Sequence, residues 1–164
     1  MPDDTERKLR EIFDAVAAKF GTGSPGTDSM WTKEIKKRLC SLGHEFPFDV
    51  CASGCEDADQ GEWLFDLVWS EGERDEMWAL PLVMESEWRV GLDDIRRDFG
   101  KLLIAKSPLK LFVFQQRTEA AVGDVFLVLR RLIRSFRMAG PGECYLLAGY
   151  SYSDRRFAYE QVVV

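Results

Sequence analysis

No apolar run in this sequence reaches the ~18 residues that a membrane-spanning helix requires, so none is expected to cross a bilayer. The opening stretch "MPDDTERKLREIF" is charged and has no apolar centre, so it does not read as a secretory leader. A cytoplasmic protein without membrane contact is the resulting expectation. There is no internal repeat, no low-complexity tract and no linker long enough to divide the chain, and 164 residues suffice for one domain with a sizeable core. Histidine is nearly absent, with one copy, and cysteine is sparse, with four. Without a leader, the cysteines are expected as reduced thiols. Three of them and the histidine form Cys40-x3-His44-x6-Cys51-x3-Cys55, while Cys144 stands apart. These are zinc-type ligands in a short span, but the usual C-x2-C knuckle is missing. Buried thiols beside a surface histidine are the competing reading.

Hydrophobic residues make up 46% of the chain and charged residues 30%, a globular composition. The net charge of −6 is uneven: residues 1–90 hold 10 basic and 20 acidic side chains, residues 91–164 hold 12 and 8. An acidic chain is a poor non-specific binder of nucleic acid, yet the second half has room for a local basic surface.

Periodicity predicts a first helix over 4–20, with Leu9, Ile12, Phe13, Val16, Ala17 and Phe20 at helical spacing. A Gly/Pro/Ser loop follows over 21–29. Asp28 or Ser29 is expected to cap a second helix, with Trp31, Ile35, Leu39 and Leu42 on one face and Gly43 as its end. Strands are expected at 45–53, 63–70 and 78–88, with a hairpin tip at 71–77. In 63–69 the aromatic residues alternate with Phe65 and Leu67, as on a packed sheet face. Asp93 or Asp94 is expected to cap a third helix that buries Ile95, Phe99, Leu102 and Leu103. Segment 107–116 reads as a strand buried on both faces because of its LFVF centre. Thr118 is expected to cap a helix reaching about Met138, stopped by Gly140-Pro141-Gly142, and two strands close the chain. The fold class is α/β: a mixed central sheet flanked by helices, in the order α-α-β-β-β-α-β-α-β-β.

Carboxylates interrupt two of these strands. Asp66 stands in Trp63-Leu64-Phe65-Asp66-Leu67-Val68-Trp69, where a bare carboxylate is costly unless it is hydrogen-bonded, paired or bound to a cation. Glu85 and Glu87 close "LPLVMESEW" two residues apart, so on a strand they point the same way. A divalent cation would offset such a cluster; hard oxygen ligands favour Mg²⁺, Mn²⁺ or Ca²⁺, of which Mg²⁺ or Mn²⁺ is the cofactor expected.

An Asp on one strand, an acidic residue two positions from a third polar residue on the next, then a helix and a further strand resemble the PD-(D/E)XK, restriction-endonuclease-like nuclease superfamily. The resemblance covers residues 29–116, with 1–28 as an added helix and loop and 117–164 as an added helix and two strands. It implies a restriction-endonuclease-like core and metal-dependent phosphodiester hydrolysis on DNA. Asp66 would be the motif aspartate and Glu85 the motif acid; Glu87 stands where the family usually has lysine. Together these three would be the metal ligands, with Glu87 a further ligand or the base that activates water. Lys101, in "DFGKLL", would replace the missing lysine from the helix, and Glu34 resembles an accessory helical acid. Phe65 rather than proline precedes Asp66, which departs from the motif.

Other readings remain open. Arg130, Arg134 and Arg137 share one helical face and suit phosphate contacts, or form the solvated side of an amphipathic helix. The carboxylates can equally belong to a catalytically inactive interaction module of inhibitor or immunity type, whose acidic half meets a basic protein partner. A small zinc-binding protein built on the cysteine–histidine cluster is the third reading.

Overall fold

The computed structural model describes residues 4–21, 26–73 and 76–164. Parts of the expected 21–29 loop and of the 71–77 hairpin tip lie outside these. Along the chain run α1 (Thr5–Gly21), α2 (Asp28–Glu45), β1 (Asp49–Ala52), β2 (Leu67–Glu73), β3 (Glu76–Glu87), α3 (Leu92–Ile104), β4 (Leu109–Gln116), α4 (Glu119–Ser135), β5 (Cys144–Ser151) and β6 (Arg156–Val163).

The six strands form one mixed sheet in sequential order. β1, β2 and β3 are an antiparallel meander; β3, β4 and β5 are parallel; β6 returns antiparallel. Because β3–α3–β4 and β4–α4–β5 are successive parallel crossovers of one hand, α3 and α4 fall on the same face. α1 and α2 cover the other. The pleat divides the core accordingly. Leu67, Trp69, Leu82, Met84, Leu111 and Val113 pack under α1 and α2. Val68, Val83, Phe112, Phe114, Tyr145 and Leu147 pack under α3 and α4. β4 is buried along its full length, as its LFVF centre predicts for a central strand.

Several expected boundaries move, each for a local reason. Thr27 rather than Asp28 or Ser29 caps α2, its side chain accepting from the Met30 N–H. Gly43 does not end that helix, which continues to Glu45. A Cβ at Gly43 would lie 2.7 Å from Val50 and 2.8 Å from the Trp69 indole nitrogen, so this glycine permits close packing of helix on sheet. β1 is shorter than 45–53 because residues 46–48 form the turn that leaves α2. β2 begins at Leu67, so Asp66 lies just before the strand rather than within it. Trp63 and Leu64 are exposed, and Phe65 packs beneath α3 and α4 while Leu67 and Trp69 pack on the opposite face; the expected single aromatic face over 63–69 is therefore not formed. α3 starts after Gly91 without a side-chain cap, with Asp93 and Asp94 in its first turn, where carboxylates favour the exposed N–H groups. Thr118 does cap α4, accepting from Ala121 N–H, but the helix ends at Ser135 rather than near Met138. No described helix is long and apolar enough to cross a membrane.

Candidate metal and phosphate site

β2 and β3 pair with Leu67 opposite Met84, and one further step sets Asp66 beside Glu85. Ser86 fixes the aspartate by donating its backbone N–H (2.8 Å) and hydroxyl (2.7 Å) to Asp66 Oδ2. Glu85 lies on the face that α3 covers and is 2% exposed. Lys101, on α3, donates to Glu85 Oε2 at 2.9 Å and reaches Asp98 Oδ1 at 3.2 Å, while half its side chain remains open to solvent. α3 is held in place from the sheet: Gln115 donates to the Trp88 carbonyl and Gln116 to the Val90 carbonyl, anchoring the connection from β3.

The acids differ in electrostatics. Burial pushes Glu85 up to about 7, against the opposing hydrogen bond from Lys101, and the Asp66 charge adds to the rise. Glu87 is also raised, first by burial and then by the neighbouring Asp98 carboxyl, against the Arg89 N–H that donates to it at 2.7 Å. Lys101 is partly desolvated, yet Glu85 and Asp98 together hold its ammonium above the ordinary lysine value.

Lys36, from α2, enters the site from the other face of the sheet. It is 4% exposed and lies 3.3 Å from Ser53 Oγ, 3.4 Å from Glu62 Oε2 and 3.9 Å from Asp66 Oδ1. Ser53 closes this group by donating to Glu62 Oε2 at 2.5 Å, and that bond, ahead of the lysine charge, holds Glu62 below its ordinary value. Lys36, Glu62, Ser53 and Asp98 were not among the residues expected at the site. A signal for Lys36 was present: it adjoins Ile35 on the stripe Trp31, Ile35, Leu39, where a charge must find a partner.

The residues expected at the site are brought together in part. Asp66, Glu85 and Lys101 form one cluster. Glu87 turns to Asp98 and the Arg89 amide, and among the described residues no three His, Cys, Asp or Glu side chains are grouped to hold a metal ion. The expected three-carboxylate cage of Asp66, Glu85 and Glu87 is therefore replaced by two facing acids. Their donor set still fits Mg²⁺: Ser86 occupies Asp66 Oδ2 and Lys101 occupies Glu85 Oε2, while Asp66 Oδ1 faces Lys36 at 3.9 Å, beyond hydrogen-bond reach, so a cation there would share that oxygen with the Lys36 charge. Mg²⁺ is commonly held by one or two carboxylates, with water and substrate phosphate as its other ligands.

Glu34 does not reach the cluster. It bridges Lys19 (2.7 Å) and Arg38 (2.8 Å), the Lys19 bond leading the fall in its pKa, and so it ties α1 to α2. Arg130 pairs with Glu160 at 2.5 Å. The register runs Glu85–Phe112–Leu147–Glu160, so Arg130 stands three strand spacings, about 14 Å, from Glu85. Arg134 and Arg137 lie further along α4 and beyond its end. This basic strip does not join the carboxylates.

The proposed zinc cluster does not assemble. Cys40 and Cys55 meet at 3.1 Å on the α2 face, but Cys51 points to the opposite face of the sheet. His44 pairs with Asp59 at 2.9 Å, and Asp59 also accepts from the Val50 N–H. The apparent ligand spacing crosses the pleat of β1, which sends its members to different layers.

These features define an α/β protein with a buried carboxylate and a lysine at the junction of an antiparallel meander and a parallel crossover. No family model, curated protein or solved structure matches the chain.

Proposed function

We propose that the chain is a metal-dependent phosphodiesterase of restriction-endonuclease-like fold acting on DNA, with Asp66, Glu85 and Lys101 as its working residues. One observation carries the reading: Lys101 comes from α3 to within 2.9 Å of buried Glu85, beside Asp66, although the lysine expected two residues after Glu85 is absent from the strand. The αβββαβ order of α2 through β4, with β4 parallel to β3, supports the same reading.

Asp66 and Glu85 would hold Mg²⁺ or Mn²⁺, which when bound supplies positive charge to a phosphate and acidifies a water ligand. Ser86 orients Asp66 through two hydrogen bonds, which fixes its remaining oxygen without a search through rotamers, on the side where Lys36 lies at 3.9 Å. Lys101, half open to solvent, can release part of its pairing and meet the charge that develops on a phosphate oxygen. Glu87, raised above the ordinary carboxylate value by burial, would be the base that accepts a proton from the attacking water.

Supercoiled plasmid and linear DNA incubated with Mg²⁺ or Mn²⁺ test this. Wild-type protein is expected to nick the plasmid, and Asp66→Ala to leave it intact. A second reading, the inactive module that binds a protein partner, is favoured by one specific observation: Lys36 already pairs with Glu62 and Asp66, and Lys101 with Glu85. Absence of cleavage by wild type with both metals would select it.

A further inference from the structure

The segment between β1 and β2 carries Ser53, Glu62 and Asp66, three of the groups around Lys36, and no helix or strand longer than an isolated bridge holds it. It touches α2 at a second place. Cys55 Sγ lies 3.1 Å from Cys40 Sγ, and Cys40 follows Lys36 by one helical turn on the same side of α2. A sulfur–sulfur bond of about 2.05 Å therefore requires a shift of only about 1 Å.

We propose that Cys40 and Cys55 are a reversible disulfide site, oxidised by hydrogen peroxide, that fastens the 53–66 segment to α2 beside the carboxylate cluster. The inference is independent of what the cluster does. The two sulfurs have different environments. Cys40 is fully buried, and desolvation raises its thiol well above the ordinary value. Cys55 is half-buried and meets solvent, so it is the sulfur that encounters the oxidant. Its thiolate attacks the peroxide O–O bond; one oxygen leaves as hydroxide and, taking up a proton, becomes water, and Cys55 becomes a sulfenic acid. The Cys40 sulfur then attacks Cys55 Sγ. The S–S bond forms as the S–O bond breaks, and the Cys40 proton leaves with the hydroxyl as a second water. Two thiols lose two electrons in all and one hydrogen peroxide gains them. Cys51 is sheltered on the opposite face of the sheet, and Cys144 is on β5, so neither competes for Cys55.

The test treats the purified full chain with hydrogen peroxide under native conditions, quenches in acid and maps the peptides. Expected is one linked pair holding Cys40 and Cys55, about 2 Da lighter than the reduced peptides and restored by dithiothreitol. Cys51 and Cys144 should remain alkylatable after denaturation. Because the bond closes a loop between residues fifteen apart, the oxidised protein should melt roughly 5–10 °C higher. Amide exchange over 53–66 should slow. Cys55→Ser should abolish the linked peptide and the melting shift. It is the safer variant, since Cys40 is in the core. Linkage of Cys55 to Cys51 or Cys144, over-oxidation of Cys55 with a free Cys40 thiol, or no reaction would overturn the proposal. Unchanged exchange over 53–66 in the oxidised protein would overturn the fastening.

Discussion

Two lysine–glutamate pairs lie on neighbouring strands beneath α3 and α4, and they are built in opposite senses. In Lys101–Glu85 the acid is buried and the lysine half exposed; in Lys110–Glu143 the lysine is fully buried and the acid about one-fifth exposed. Lys110 donates to Glu143 at 2.6 Å and to the Tyr145 hydroxyl at 3.0 Å, and Tyr145 in turn donates to Glu143. Although burial opposes it, those donors together with the Gly140 N–H hold Glu143 below its ordinary value. Every partner there is satisfied internally. Glu85 has one donor, few escape routes for its charge and a pKa near 7. The internally satisfied Lys110–Glu143 pair reads as structure; a buried acid with one donor, next to a half-exposed cation, reads as a place for a ligand.

The comparison breaks most visibly at Glu143. Glu143→Ala leaves the Lys110 ammonium buried with only a tyrosine hydroxyl, which should cost about 3–5 kcal/mol in urea unfolding, as for other broken buried pairs. Cleavage by the folded fraction should be unchanged.

The two acids should also titrate stability in opposite directions. Glu143 is depressed in the folded state, so its contribution is present above its unfolded value and is lost as pH falls through the folded one. Glu85 is raised, so its contribution is complete below 4.5 and is lost as pH rises through about 7. Unfolding free energy should therefore decline by at most about 3 kcal/mol between pH 4.5 and 8 from Glu85. Glu85→Gln should remove that decline, leaving the smaller slope in the same direction that the raised Glu87 contributes.

Lys101→Met removes the exposed lysine while keeping its stem over the sheet. Its expected effect is on turnover: about a 100-fold loss of nicking, equivalent to ~2.7 kcal/mol, beside a loss of stability above pH 7, where Glu85 is left charged without its donor. Arg134→Ala sits at the small end. Its distance from the carboxylates predicts DNA cleavage within about 2-fold of wild type at moderate salt.

Much of this was legible in the sequence, for identifiable reasons. The helices and central strands carry dense apolar periodicity, and Thr118 and the LFVF core of β4 read directly. Asp66 and Glu85 were visible because a carboxylate in an apolar run needs an explanation, and Lys101 only through the resemblance, as the helix lysine of "DFGKLL" that would replace the one missing from the strand. What failed depends on contacts between distant segments. Whether Glu87 faces Glu85 or Asp98 is set by where α3 crosses β3. Lys36 rather than Glu34 reaches the site because α2 is rotated to bury Ile35 and Leu39. The cysteine spacing looked like a ligand set because linear distance does not record which side of β1 each residue takes.

The central claim is that Glu85 is a buried acid held ready for a cation. Carbon-13 carboxyl NMR, with Glu85 assigned through Glu85→Gln, measures it directly in the presence and absence of Mg²⁺. The expected midpoint is near 7 and falls when Mg²⁺ is added, because a bound cation favours the carboxylate. A midpoint near the ordinary 4.5, or one that Mg²⁺ does not move, would contradict it.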